Sequence, residues 1–193
     1  MRRILRLLAC GAVVLSLVAC TPTGRAVGDT QDNMPSIAHD STHKTDITVG
    51  FVGSTDTAAD KKAIDALADD TLNVYYTSLD TSGDSETADK IAATAQQGIT
   101  DFVDRAVKIV IISGIDVTDA NRDSWNQALT NVREAGIPVA LLNPKHAPED
   151  ELLYAAILNT DDAASAKSVS IADAVITITR DEPHDRTIAV ATE

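Results

Sequence analysis

Two thiols and four imidazoles are the side chains of this sequence best suited to nucleophilic, acid–base or metal chemistry. Cys10 sits inside an apolar run near the start of the chain, and Cys20 closes that run. His39 and His43 lie four apart beside Asp40 and Asp46, a spacing that holds a metal only when a helix brings both rings to one face. The Thr, Pro, Gly, Asp, Ser and Asn around them favour loop over helix, so both read as solvated side chains. His146 and His184 stand alone. Gly50 and Gly53 do not complete the Gly-x-Gly-x-x-Gly pattern of a dinucleotide loop. Neither a Walker A sequence nor a Gly-x-Ser-x-Gly elbow is present. No catalytic residues, cofactor or metal are therefore expected, and the chain is not expected to be an enzyme.

Cys20 carries a different chemistry. Arg2, Arg3 and Arg6 make the start basic, residues 7–19 are uncharged and mostly apolar, and small Ala19 stands just before Cys20. A charged head, a short apolar core and a small residue at the cut describe a secretory signal peptide over residues 1–19. The core is too short to cross a bilayer, which takes about 20 apolar residues. Leu17-Val18-Ala19-Cys20 resembles the bacterial lipobox, which implies lipid attachment at Cys20. The chain is then exported and held at the cell membrane, facing the periplasm or the extracellular space. An ordinary signal peptide with an incidental cysteine is the alternative. Cys10 would leave with the signal, so no disulfide is expected and the fold must rest on its own core. Loss of Arg2, Arg3 and Arg6 takes the formal net charge from -13 to -16. So acidic a surface repels DNA, RNA and anionic headgroups, and nucleic acid is not an expected partner.

The rest of the chain must supply the scaffold. Residues 20–46 hold few apolar side chains and read as a flexible tether. From Ile47 onward, short apolar runs alternate with helical periodicity. Strands are expected at residues 47–52, 72–76, 107–112, 137–142, 152–158 and 187–191. Helices are expected around Ala59–Leu67, from Ala88 to Val103 with Ser85 as cap, around Trp125–Val132 with Gly136 at its C′ position, and from Ala163 to about Thr179. Val107–Ile112 lacks polar alternation, as a strand buried on both faces does. Tyr75 and Tyr76 point to opposite faces, one expected in the core and one on the surface. Trp125 shares a helical face with Leu129 and Val132 and reads as core. Asp161 and Asp162 are expected to open the last helix. The alternation gives a doubly wound parallel sheet, a three-layer α/β sandwich over residues 47–193. In such sheets ligands bind beyond the carboxyl ends of the strands. That selects residues 53–57, 113–116, 143–146 and 159–162, and Asp116 lies on this rim.

Three stretches carry a likeness to a known family: Gln97-Gly98 through Ile112-Ser113, Arg133 through Val139, and Asn159-Thr160-Asp161-Asp162. Together they resemble the type 1 periplasmic binding proteins, the sugar-capturing components of ABC importers. Leu141-Leu142-Asn143-Pro144-Lys145 and Ile157-Leu158-Asn159-Thr160-Asp161 are similar to strand ends of its galactose/glucose-binding members. The resemblance implies a solute-binding protein, with a sugar or related polar solute as ligand and the importer's membrane subunits as partners. It places Asn143 at the asparagine that hydrogen-bonds sugar hydroxyls, and Asp56, within one residue, at the aspartate after the first strand. Ser54-Thr55-Asp56-Thr57 lacks the aromatic residue on which the family stacks the sugar. The likeness spans about residues 47–179, the first lobe of a two-lobe fold, so a one-lobe chain with the second lobe missing is expected. A stand-alone cell-surface interaction module with the same fold is the second reading, and a flavodoxin-like enzyme the third.

Overall fold

A computed structural model describes residues 22–32, 42–79, 88–161 and 167–192. The signal segment, Cys20, His39, the Ser85 cap and Asp162 lie outside the described residues.

The sheet is built around its most apolar segments. The strands are β1 (Thr48–Val52), β2 (Asn73–Thr77), β3 (Ile109–Ser113), β4 (Val139–Leu142), β5 (Ala156–Asn159), β6 (Val169–Ser170) and β7 (Thr187–Ala191). They form one seven-stranded sheet in the order β2-β1-β3-β4-β5-β7-β6. Every pairing is parallel, for instance Val49 opposite Ile109 and Val110 opposite Val139. All residues of β3 and β4 are buried, because layers of helix cover both faces. The helices are α1 (Thr57–Asp69), α2 (Ala88–Asp104), α3 (Arg122–Glu134) and α4 (Ile171–Thr179). Ala63 and Leu67 of α1 join α4 against one face through Phe51, Ile109 and Ile111. Ile99 and Phe102 of α2 join Trp125, Leu129 and Val132 of α3 against the other, through Val52, Val110 and Ile112. The expected three-layer α/β sandwich is therefore the observed fold. Gly136 ends α3 with φ +72°, as its C′ position requires.

Four local expectations are corrected. The strand expected over residues 152–158 begins instead with a 3₁₀ turn at Glu151–Leu153, capped by Asp150 through the Leu152 amide, and pairs only from Ala156. The last helix is shorter than its apolar run: Ser170 accepts from the Asp173 amide and starts α4 at Ile171, so Asp161 does not open it. Val169–Ser170 pairs with β7 as a two-residue strand. Tyr75 and Tyr76 are both 42% exposed, because β2 is an edge strand and its faces are only partly covered. Arg105 lies over the Tyr75 ring, and the Tyr76 ring sits 6.1 Å from Phe51.

The fourth correction concerns the tether. Residues 22–32 lie against the lobe instead of standing free of it. Arg133 Nη2 donates to the carbonyls of Pro22 (2.8 Å) and Arg25 (3.1 Å). Asp29, 5% exposed, is paired with Arg186, and Thr30 donates to the Glu182 carbonyl. His184 Nε2 lies 2.8 Å from the Gly28 carbonyl. At Gly28 the backbone takes φ +78°, and a Cβ there would come within 2.8 Å of the Pro138 side chain. Composition hid this, because the segment docks mainly through backbone carbonyls, the Thr30 hydroxyl and one ion pair, with Ala26 its one buried apolar side chain.

Candidate functional site

The strand order reverses beside β1: the chain goes from β1 outward to β2, then back across to β3. Loops leaving β1 and β3 therefore diverge, and a crevice opens at the carboxyl ends of these strands. A cavity of about 310 Å³ occupies that position, lined by Asp56, Asp116 and Asn143 from the three loops after β1, β3 and β4. The structure thus brings the three sequence-predicted residues to one cleft.

Each is fixed by its own local chemistry. After β1, the buried Asp60 carboxylate accepts from the Ser54 amide (2.6 Å) and Ser54 Oγ (3.0 Å). Ser54 Oγ accepts in turn from the Asp56 amide (3.0 Å). Asp56 Oδ1 then takes the Ala59 amide at 3.0 Å and caps α1, leaving the residue exposed at the cleft mouth. Gly53 lets this turn close tightly, since a Cβ there would stand 2.7 Å from the Tyr76 hydroxyl.

After β3, Asp116 Oδ1 lies 2.7 Å from His146 Nδ1, and the two residues form an isolated parallel bridge. Asn121 locks the same turn, accepting from the Thr118 amide (2.8 Å) and donating to the Asp116 carbonyl (3.1 Å). After β4, Asn143 adopts φ +45°, a left-handed conformation that asparagine tolerates better than most residues. Its Nδ2 donates to Thr160 Oγ1 (2.7 Å) and its Oδ1 accepts from the Thr160 amide (2.9 Å). The amide is thus already engaged within the fold, with one N–H beyond that bridge.

The inner wall of the cleft is apolar, formed by Val52, Leu79, Ile91, Ile112 and Trp125. Trp125 is 3% exposed, and its Nε1 has no hydrogen-bond partner among the described residues. The core reading of Trp125 holds, and the same residue also borders the cleft. A second cleft of about 610 Å³ adjoins the first through Asp56, Ser113 and Asn143, and adds Lys62 and Thr160. The site therefore combines carboxylates, an amide, hydroxyls and lysines at its mouth with an apolar inner wall. Such a set can donate to and accept from a polar solute while covering an apolar face.

Sequence reasoning missed Asp60, and it included Ser54 and Thr160 in the rim loops without foreseeing that they hold the predicted residues in place. Asp60 carries the type of a solvated helix residue, and only the loop that folds over it explains its burial. His184 has no part in the cleft. Among the described residues no group of three His, Cys, Asp or Glu could hold a metal ion, and no helix is long and apolar enough to cross a membrane.

Fold and cleft define a doubly wound α/β lobe with a crevice at its topological switch point. No model of a protein family matches the chain, and no curated protein matches it. Solved structures similar to it include a Mycobacterium smegmatis protein in complex with β-D-fucofuranose, with 18% identity and a TM-score of 0.46 over 63% of this chain and 37% of that one. A galactofuranose-binding protein gives 15% identity and a TM-score of 0.44 over 74% and 56%. The periplasmic binding component of the arabinose ABC transporter from Shewanella sp. ANA-3, bound to α- and β-L-arabinofuranose, gives 14% and 0.42 over 74% and 54%. The chain spans between about a third and just over half the length of these proteins.

Proposed function

We propose that this chain is an exported, lipid-anchored solute-binding protein that captures a sugar or related polar solute for an ABC importer, without catalysis. The observation that carries the reading is the convergence of Asp56, Asp116 and Asn143 on one cleft at the switch point. Two carboxylates and an amide supply acceptors and donors suited to vicinal hydroxyls, and the wall containing Trp125 suits the less polar face of a ring. Cys20 is the attachment point in this reading, and the importer's membrane subunits are the partners.

The test is calorimetry on the processed chain, made soluble by Cys20→Ser, against a panel of neutral monosaccharides. Wild type is expected to bind at least one of them. Asn143→Gly keeps the left-handed backbone while removing the amide, and is expected to weaken binding by about tenfold, the effect of losing about 1.4 kcal/mol of hydrogen bonding. Equal affinity in the variant would show that Asn143 does not touch the ligand. Absence of binding across the panel would remove the sugar reading itself.

A further inference from the structure

The segment between the anchor and the lobe is short, because the chain docks almost as soon as the signal ends. Pro22, whose carbonyl is held by Arg133, is two residues beyond Cys20. Two residues reach at most about 7 Å, whereas a free coil over residues 20–46 would wander roughly 30 Å.

The place of docking is equally defined. The strap of residues 22–32 touches Pro138 just before β4, Arg186 just before β7, and Glu182 and His184 after α4. All of these stand at the amino-terminal end of the parallel sheet. The cleft stands at the other end. Thr42, whose carbonyl accepts from Arg180 Nη2 at 2.8 Å, also lies against the lobe before β1.

We propose that residues 22–32 act as an orienting strap that sets the amino-terminal end of the sheet against the lipid surface and turns the cleft away from it. The proposal rests on the reading of Cys20 as the lipid anchor and adds the direction in which the lobe faces. A long tether leaves orientation free, whereas an anchor within a few ångströms of a docked segment fixes which end meets the headgroups.

The experiment uses the full chain, expressed in a bacterium, purified from membranes and reconstituted in phosphatidylcholine vesicles carrying a headgroup-linked acceptor dye. Acylation at Cys20 is read first, from the mass of the amino-terminal peptide. A donor dye is then placed on Asp185→Cys, exposed beside the strap, or on Ala120→Cys, exposed in the loop after β3. These positions lie beyond opposite ends of a strand roughly 17 Å long. Energy transfer to the bilayer is expected to be severalfold greater from position 185. In Gly28→Val, whose side chain cannot fit against Pro138, the difference should collapse. Arg133→Ala, which releases the Pro22 and Arg25 carbonyls, serves if that variant does not fold. An acylated wild type with equal transfer from both positions would overturn the orientation. A difference that survives release of the strap would overturn the strap as its cause. An unmodified, soluble chain would overturn the anchor reading, and the orientation with it.

Discussion

The two ends of the sheet solve opposite problems. At the amino-terminal end the chain closes over itself: residues 22–32 fill the space beside β4 and β7, with Asp29 buried against Arg186 and carbonyls taken by Arg133. At the carboxyl end Asp60 braces the loop after β1, Asp116 and His146 join the loops after β3 and β4, and a cleft stays open between them. Both ends are rich in polar side chains. At one end most are spent on internal partners, although Thr23, Arg25 and Gln31 line a cavity of about 320 Å³ beside Arg186; at the other, Asp56, Asp116 and Asn143 converge from three loops on a cleft with an apolar inner wall. Polarity beside unfilled space therefore does not by itself mark a site; convergence of strand-end loops over an apolar wall does.

Four substitutions would break or sharpen this contrast. Arg186→Ala leaves Asp29 buried without its cation and also removes the guanidinium stacked over Tyr154. It should cost about 3 kcal/mol in urea unfolding while leaving ligand affinity per folded molecule unchanged. Gly28→Ala forces a side chain into a left-handed position against Pro138, at about 2 kcal/mol, and proteolysis within residues 22–32 should accelerate. A Gly28→Ala protein as stable and resistant as wild type would mean that the strap does not dock there. At the other end, Asp60→Ala strips Ser54 of both acceptors and should cost about 1–2 kcal/mol. Unlike the strap variants, it should weaken solute binding, because it loosens the loop that carries Asp56. Asp116→Ala removes a partly exposed contact with His146 and should change stability by less than about 1 kcal/mol. Its effect belongs to affinity: a calorimetric titration indistinguishable from wild type would take Asp116 out of the site.

Much of this fold was legible in the sequence. The β-branched run ending at Ile112 has no polar face and could only be a central strand; Ala63 and Leu67, or Leu129 and Val132, recur at helical spacing. The rim loops, Asp116 among them, were reachable because strand ends in a parallel sheet converge by topology, whereas Asp56 and Asn143 were singled out by the resemblance to a known family. What stayed hidden depends on partners distant in sequence. Nothing near Asp29 announces Arg186, and nothing near Asn143 announces that Thr160 holds its amide. Tyr75 and Tyr76 alternate as a half-buried strand does, yet edge position overrides that pattern. Ala163, Ala164, Ala166 and Val169 extend the apolar pattern ahead of α4, yet the helix starts only at Ile171, so its amino-terminal boundary is set by the Ser170 hydroxyl and not by hydropathy.

The strap also orders events in time. Thr30, Gly28 and Asp29 meet partners 152, 156 and 157 residues further along the chain. Contacts of such sequence separation form late, since loop closure must come before they can contribute. Residues 22–32 are synthesised well before Glu182, His184 and Arg186. The earlier segment must therefore wait for the later one, and residues 22–32 dock late in folding.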